Sequence, residues 1–590
     1  MFAKKIEKIR KIMRENGVDA YYVTSSDFHE SEYIGSYFKV REYITGFQGS
    51  FGNLLINKDK VVLWTDSRYD TQAKKILSGT EVEVITINKP DTIDLKEWVK
   101  NNAEQCKVFA FDGRTVSAKL GLELKEFFSK IGVKINESLN IVDEFWEERP
   151  EMSKEKAYIL DIGKSGKTVE DKIKEVVEIL KKDEIDYNLV TSLDDIAWLL
   201  NIRGRDVKNT PVVLSNLIIG QFETSLYIDK NKIIGEVEKK LKESKIIIKE
   251  YDEFYNDVKK IEKNKKILVD VNKINTMLYS LISEHKIVDR LNPSTTLKAV
   301  KNSVEIKNIK STHIKDGVAV TKFLYWLKSN IGKIEIDEIT AKNKMDSLRA
   351  EQEGYIEPSF ETISAYMSNA AMPHYSATEK DFSKLEEKGV YLIDSGGQYF
   401  GGTTDITRTI AVGEVSEEIK RDYTLVLKGM LNLSMAKFLH GTTGSNLDFC
   451  ARSAMWEYGI NYAHGTGHGI GYILGVHEGP HGIRVTHNPH PLIPGMIVTN
   501  EPGIYVVNSH GIRIENELLV TPYLKNNYGD FYQFETITYA PIDLEPVIIE
   551  MLTEKEKEFL NLYHRSVYNK LSNFLAEEEK HWLKNVTKEI

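Results

Sequence analysis

The spacing of apolar and polar positions divides the chain into helices and strands in a recurring order. Residues 4–16 carry apolar side chains at helical spacing and lead through Gly17 into the apolar run Ala20-Tyr21-Tyr22-Val23, then Thr24-Ser25. The same order returns later. Val176-Val177-Glu178-Ile179-Leu180 leads through Glu184 into Tyr187-Asn188-Leu189-Val190, then Thr191-Ser192. At one constant offset Ile12, Asp19, Val23, Thr24, Ser25 and Asp27 meet Ile179, Asp186, Val190, Thr191, Ser192 and Asp194. The match predicts two copies of one α/β domain, joined near Glu148-Arg149-Pro150, each a mixed sheet flanked by helices. The second copy is expected to end near Leu291-Asn292-Pro293.

Beyond it, Val304 to Leu327 reads as a long helix. The pattern then changes to short strands that end or begin in acids. Val390-Tyr391-Leu392-Ile393 closes on Asp394, and Asp405 opens the alternating run Ile406-Thr407-Arg408-Thr409-Ile410. Gly396, Gly397, Gly401 and Gly402 between them read as a hairpin connection. Ile497-Val498-Thr499-Asn500 closes on Glu501, and Ile512-Arg513-Ile514-Glu515 puts Arg513 and Glu515 on one strand face. The stretch therefore reads as two related hairpins, each presenting two carboxylates, with His468 supplied from a glycine-rich run between them. After Pro541 a polar helical tail is expected from Thr553 to Ile590, packing through Phe559, Leu560, Leu562, Tyr563 and Val567.

Composition narrows the setting. A chain of 590 residues exceeds a single core of about 250–300 residues, so several domains are expected. With 41% hydrophobic residues and a net charge of −9, it has the make-up of a globular protein without the clustered positive charge of a nucleic-acid binder. Cys106 and Cys450 stand far apart in no paired motif, which argues against disulfides and thiolate metal sites and fits a reducing, cytoplasmic setting. The basic, amphipathic start carries Glu7 and Glu15 and no apolar core of a signal, so it reads as a first surface helix. No run reaches the roughly 18 apolar residues of a membrane span.

The carboxylates carry the chemistry. Any one of them alone could be a solvated strand cap, but four buried together need compensating cations. Two divalent ions would offset Asp394, Asp405, Glu501 and Glu515, and oxygen ligands with one imidazole favour Mn²⁺ over thiolate-seeking metals. His477-Glu478-Gly479-Pro480-His481 formally spells the zinc-protease pattern H-E-x-x-H, which needs a helix. Gly479 and Pro480 in its interior oppose one, at about 3 kcal/mol for the proline alone. Gly465-Thr466-Gly467-His468-Gly469 lacks the Lys-Ser/Thr of a phosphate loop, so its glycines are expected to let backbone approach a crowded centre. If that run is extended, His464 and His468 share a face about 13 Å apart, His468 on a metal and His464 lining the pocket beside it. Thr407 and Arg513 stand beside ligands at strand spacing, where they could orient carboxylates without touching metal.

Asp394, Asp405, His468, Glu501 and Glu515 lie in the runs Leu392-Ile393-Asp394-Ser395-Gly396, His464-Gly465-Thr466-Gly467-His468-Gly469, Asn500-Glu501-Pro502-Gly503 and Arg513-Ile514-Glu515-Asn516. In these runs the chain resembles the pita-bread metallopeptidases, a group that includes methionine aminopeptidase, prolidase and aminopeptidase P. The fuller resemblance is to the long, three-domain cytosolic aminopeptidase P. It extends to Ser31-Glu32-Tyr33-Ile34, Trp64-Thr65-Asp66-Ser67-Arg68-Tyr69, Asp195-Ile196-Ala197-Trp198-Leu199-Leu200-Asn201-Ile202-Arg203-Gly204 and Ala299-Val300-Lys301-Asn302, and so covers essentially the whole chain.

The resemblance implies an α/β fold: two creatinase-N-like domains (1–150 and 151–297), a pita-bread catalytic domain (298–540) and a C-terminal extension (541–590). It implies a peptidase that removes the N-terminal residue from peptides with proline second, using a hydroxide between two metal ions. Asp394 would chelate one ion, His468 and Glu501 the other, and Asp405 and Glu515 both. Glu501 matches the proton shuttle, and His374 and His477 match histidines that meet the substrate carbonyl and the tetrahedral intermediate. His464 matches the histidine beside the proline pocket, and Arg68 a peptide-binding arginine, for which a surface ion pair is the competing reading. A homodimer is expected on the same ground. The lead-in Asn369-Ala370-Ala371-Met372-Pro373 and Asn500, where an acid often stands, depart from the family pattern. Two other readings share the motifs: a prolidase-like dipeptidase, which normally lacks the second α/β copy and the tail, and a non-catalytic pita-bread binding module.

Overall fold

The computed structural model describes residues 2–87 and 92–590. Met1, at the head of the expected first helix, lies outside them. The chain forms two compact units, one of Met1–Ile162 with Lys167–Thr295 and the other of Gly163–Gly166 with Thr296–Ile590.

In the first unit, Phe2–Glu15 is a helix because Ile6, Ile9, Ile12 and Met13 make one buried stripe. Gly17, at φ +65°, takes the left-handed conformation that ends it, and Val18 N–H returns to Met13 O. At the equivalent point of the second copy Glu184 takes φ +55° after the helix Val169–Lys182, and Ile185 N–H returns to Leu180 O. The sheets repeat as well. In the first the spatial order is Val82–Thr86, Val61–Thr65, Asn53–Asn57, Ala20–Val23, Val108–Ala110, Lys134–Asn136. In the second it is Ile246–Lys249, Thr224–Ile228, Ser215–Gly220, Tyr187–Val190, Lys266–Val269, Lys286–Asp289. Both sheets share one pattern of parallel and antiparallel neighbours. Asp19 accepts Lys107 and Val108 N–H just as Asp186 accepts Lys266 N–H. The expected duplication is present, and the copies meet where Ser117 and Asn275, each capping a helix, pair with one another.

In the second unit, the helix Ser303–Asn330 starts at a reciprocal cap, Asn302 accepting Val304 and Glu305 N–H while Glu305 accepts Asn302 N–H. Two sheets face the centre. One orders Ile363–Tyr366, Val390–Ser395 and Ile406–Ala411; the other runs Lys437–Leu439, Gly529–Thr536, Asn516–Asn526, Ile497–Asn500, Gly467–Gly469 and Glu478–Ile483. Val390–Ser395 and Ile406–Ala411 pair antiparallel as expected. The glycine-rich connection is more than a turn, because Gly397–Tyr399 and Gly402–Thr403 join Tyr355–Pro358 in a separate small sheet. The helices Glu417–Ser434 and Gly444–Trp456 carry much of the apolar core.

The tail forms the helices Glu554–Leu571, capped by Thr553, and Glu577–Val586. Leu560, Tyr563 and Val567 are buried in the core built on Tyr423, Leu427 and Ile512. Leu562, expected to pack, is instead exposed, because it points off the buried stripe. The whole is the α/β architecture expected, two duplicated domains and a pita-bread domain with a helical extension.

Candidate metal centre and active site

Asp394 is the fifth residue of Val390–Ser395 and stands opposite Thr407 in the register. Its Oδ2 receives Arg513 Nη2 at 2.5 Å, while its Oδ1 is buried with no hydrogen-bond partner among the described residues. Asp405 lies just before Ile406–Ala411, its backbone N–H donated to Glu517 Oε1 at 2.8 Å. Glu515 lies between His510–Arg513 and Asn516–Asn526; its Oε2 accepts Thr407 Oγ1 at 2.7 Å, and its Oε1 is a second buried orphan among the described residues. Glu501 follows Ile497–Asn500, held by its N–H to Thr466 O.

His468 sits in the short strand Gly467–Gly469. Its Nδ1 lies 3.0 Å from Gly469 O, so a proton there donates to the carbonyl and leaves the Nε2 lone pair for a metal. Nε2 is 3.5 Å from Asp405 Oδ2 and 3.7 Å from Glu501 Oε1. One ligand atom each from Asp405, His468 and Glu515 lies within 4.8 Å of the others. Glycine is required at 467, where a Cβ would come 1.9 Å from Thr499 O, so the strand carrying His468 can lie against the one leading to Glu501. The expectation of an extended run from His464 to His468 fails, since only Gly467–Gly469 is strand and residues 463–464 bend.

The acids are electrostatically unsatisfied as a group. Burial, then the charge of Asp394, pushes Asp405 well above the ordinary carboxylate range. Burial and then Asp405 do the same to Glu515, and burial brings Glu501 to about 7. Arg513 alone cannot offset four carboxylates. Two orphaned oxygens, converging ligand atoms and a histidine with its Nε2 directed at acids fit a pair of divalent cations, whose ligands, at roughly 2.0–2.2 Å from an ion, lie within roughly 4.4 Å of each other.

Arg513 also binds Thr407 Oγ1 through Nε at 3.2 Å, Tyr505 OH through Nη1 at 2.6 Å and Pro373 O through Nη2 at 3.4 Å. It thereby joins Asp394 to the turn that presents His374. Tyr505 OH lies 2.8 Å from His464 Nε2, and the His464 carbonyl is gripped by the buried guanidinium of Arg452, which also holds Asp448 and Tyr462 O. His477 stacks edge-on against His468, ring centroids 4.3 Å apart. The residue after it, Glu478, opens the strand Glu478–Ile483, so the H-E-x-x-H pattern is not helical. His481 turns away, buried, bonded to Ile497 O at 2.8 Å and held neutral by burial that lowers it to about 3. Arg68 belongs to the first unit, where its Nη2 pairs with Asp66 Oδ2 at 2.7 Å. Asn500 turns from the acids and donates to Met430 O and Ser434 Oγ.

Sequence reasoning missed Glu517, Tyr505 and Lys298, and met Lys301 only inside a family run; both lysines are buried and hold Glu478. Glu517 was the one with a signal, two positions past Glu515 at strand spacing.

The family model for metallopeptidase family M24 matches residues 307–522, that for its C-terminal region residues 530–590, and two models of a creatinase/prolidase N-terminal domain residues 5–144 and 148–305. Xaa-Pro aminopeptidase 1 of Dictyostelium discoideum is 37% identical over 612 residues, covering 100% of this chain and 96% of its own. The probable Xaa-Pro aminopeptidase P of Botryotinia fuckeliana is 36% identical, covering 98% of this chain and 91% of its own. An X-prolyl aminopeptidase structure from Caenorhabditis elegans, described as a cytosolic enzyme with a di-nuclear active site, superposes with a TM-score of 0.95 at 32% identity over the whole of both chains. A Xaa-Pro dipeptidase from Bacillus anthracis, 27% identical, gives a TM-score of 0.51 and covers 64% of this chain and 99% of its own. With full-length relatives of this kind on both counts, the chain belongs to metallopeptidase family M24, in its Xaa-Pro aminopeptidase branch.

Proposed function

We propose that this protein is a metal-dependent aminopeptidase that hydrolyses the bond between an N-terminal residue and a following proline. The observation that carries the reading is the convergence of ligand atoms from Asp405, His468 and Glu515, with Glu501 Oε1 3.7 Å from His468 Nε2 and orphaned oxygens on Asp394 and Glu515. Full-length likeness to Xaa-Pro aminopeptidases supports the substrate class, whereas the dipeptidase likeness leaves about a third of the chain without a counterpart.

The residues would hold two divalent ions, Mn²⁺ by the oxygen-rich donor set. Asp394, Asp405, His468, Glu501 and Glu515 would be the residues that hold them. When bound, such a pair supplies Lewis acidity toward the scissile carbonyl and lowers the pKa of a nearby water. Glu501 receives the proton of the attacking water and passes it to the departing proline nitrogen, so peptide and water give a free amino acid and a shortened peptide. His374 and His477 donate to the carbonyl oxygen as negative charge develops on it, an effect worth about 3–4 kcal/mol per donor. His464, steadied by Tyr505, lines the proline side of the pocket. Arg513 and Thr407 hold Asp394 and Glu515 in place. Arg68, paired with Asp66 in the first unit, remains a candidate peptide-binding arginine by resemblance alone.

The division into 1–150, 151–297, 298–540 and 541–590, a homodimer, and a cytoplasmic location free of nucleic acid and membrane belong to the same reading. No helix among the described residues is long and apolar enough to cross a membrane.

The test is hydrolysis of an Xaa-Pro-Pro peptide by metal-stripped protein with Mn²⁺, Zn²⁺ or Co²⁺ restored, beside Asp405→Asn. Release of the first residue with Mn²⁺, and its loss in the variant, is the expected result. Cleavage of Xaa-Pro dipeptides alone would indicate a dipeptidase, and inertness with all three ions a binding module.

A further inference from the structure

His374 stands in a turn with little regular structure: after the short 3-10 stretch Met367–Ala371 the chain wanders until Val390. A catalytic donor on such a segment needs something to hold it, since loops are the mobile part of a fold. On one side Arg513 reaches Pro373 O, the carbonyl just before His374. On the other stands a carboxylate for which the chemistry described above has no use.

Glu338, the first residue of the helix Glu338–Ala350, is fully buried. Its Oε1 accepts Tyr366 N–H at 2.7 Å and Asn369 Nδ2 at 3.0 Å. Its Oε2 accepts Ser383 N–H at 2.7 Å, Tyr375 OH at 2.9 Å and Asn369 Nδ2 at 3.2 Å. Every donor comes from one segment, 366–383, and Tyr375 is the neighbour of His374. Asn369 Nδ2 also lies 3.1 Å from Tyr375 OH and 3.0 Å from Ser383 Oγ, which share its two protons with the carboxylate and close the segment on itself. Backbone pairing of Glu338 N–H with Ser383 O fixes the helix start independently of the carboxylate.

An ionised carboxylate accepts at both oxygens and donates at neither, which matches four residues that all donate. Burying it is costly unless such bonds are made, so the arrangement is stable only with the segment drawn in around it.

We propose that Glu338 is a positioning residue for His374, setting its place at the substrate carbonyl by clamping both sides of the turn that carries it. The inference rests on the reading of His374 as a substrate contact.

The experiment is a double-mutant cycle on Glu338→Gln and His374→Ala in full-length, metal-loaded protein, measured on an Xaa-Pro-Pro peptide, with metal content and melting temperature recorded. Glutamine matches the shape but turns a donor toward Ser383 N–H. A misplacement of about 1 Å can cost about a hundredfold, so E338Q is expected to lower kcat/KM about 10- to 100-fold, mainly in kcat, with metal content unchanged. In the H374A background the same change should cost less than about threefold, because contacting residues that act as a unit are not additive. Tyr375→Phe, which removes the hydroxyl bonded to Glu338 and Asn369 and leaves the carboxylate, should lower kcat/KM several-fold with the same non-additivity, and it decides the matter if E338Q does not fold. Wild-type rates in both E338Q and Y375F, losses fully additive with H374A, or losses that follow lost metal would overturn the proposal. An inactive wild-type protein would sink the proposed function instead.

Discussion

Glu517 Oε1 accepts the backbone N–H of Asp405 at 2.8 Å, and its other oxygen faces His313 Nε2 at 3.1 Å. Glu517 thus holds the backbone where Asp405 enters the strand Ile406–Ala411, and its charge adds to those that raise Asp405. Glu517→Ala would leave that N–H and His313 without their acceptor. Metal affinity should fall about 10- to 100-fold, the usual cost of losing a group that orients a ligand. Glu517→Gln keeps the acceptor and should cost much less. Competition with a chromogenic chelator reads both, and equal affinities in wild type and E517A would contradict the assignment.

Arg408 ties the ligand-bearing strand to the tail. Buried, it donates to Pro541 O, Ala540 O, Glu515 O, Asn516 Oδ1 and Tyr563 OH. Arg408→Met would leave several buried acceptors unmet at about 1–3 kcal/mol each. Destabilisation of upward of about 3 kcal/mol is expected, read as an earlier calorimetric transition. Tyr563→Phe should cost about 1 kcal/mol.

His564 gives a pH dependence with a definite sign. Its Nε2 accepts Ile542 N–H at 3.1 Å, and burial followed by the charge of Arg408 lowers it to about 3. The unfolded chain binds a proton near pH 6.5 that the folded chain refuses. The stability tied to neutral His564 is therefore complete above about pH 6.5 and is lost as pH falls toward about 3, at about 1.4 kcal/mol per unit. His564→Gln keeps an acceptor without a titration. Its melting temperature should lose less than wild type does between pH 7 and pH 5; parallel losses would contradict the argument.

Much of this was legible in the chain. The duplicated domains announced themselves because a helix and an apolar strand recur in the same order, with the residues from Ile12 to Asp27 matched by those from Ile179 to Asp194 at one constant offset. The acids stood out because apolar strands ended in Asp394 and Glu501 and were flanked by Asp405 and Glu515, where charge without a partner is anomalous. What stayed hidden depends on contacts distant in sequence. Glu338 reads as an ordinary acid in a helical first turn, and Arg452 as one more surface arginine. Lys301 was noticed only within a family run, although it lies buried against Glu478. The bend before Gly467 was missed because a run of glycines carries no periodicity to distinguish strand from turn.

The most direct test is to titrate metal-stripped protein with Mn²⁺ and count bound ions, in wild type and in Asp405→Asn. Two ions per chain in wild type, and loss of strong binding in a variant that still folds, is the result the account predicts. A single ion, or two ions bound equally well by both proteins, would contradict it.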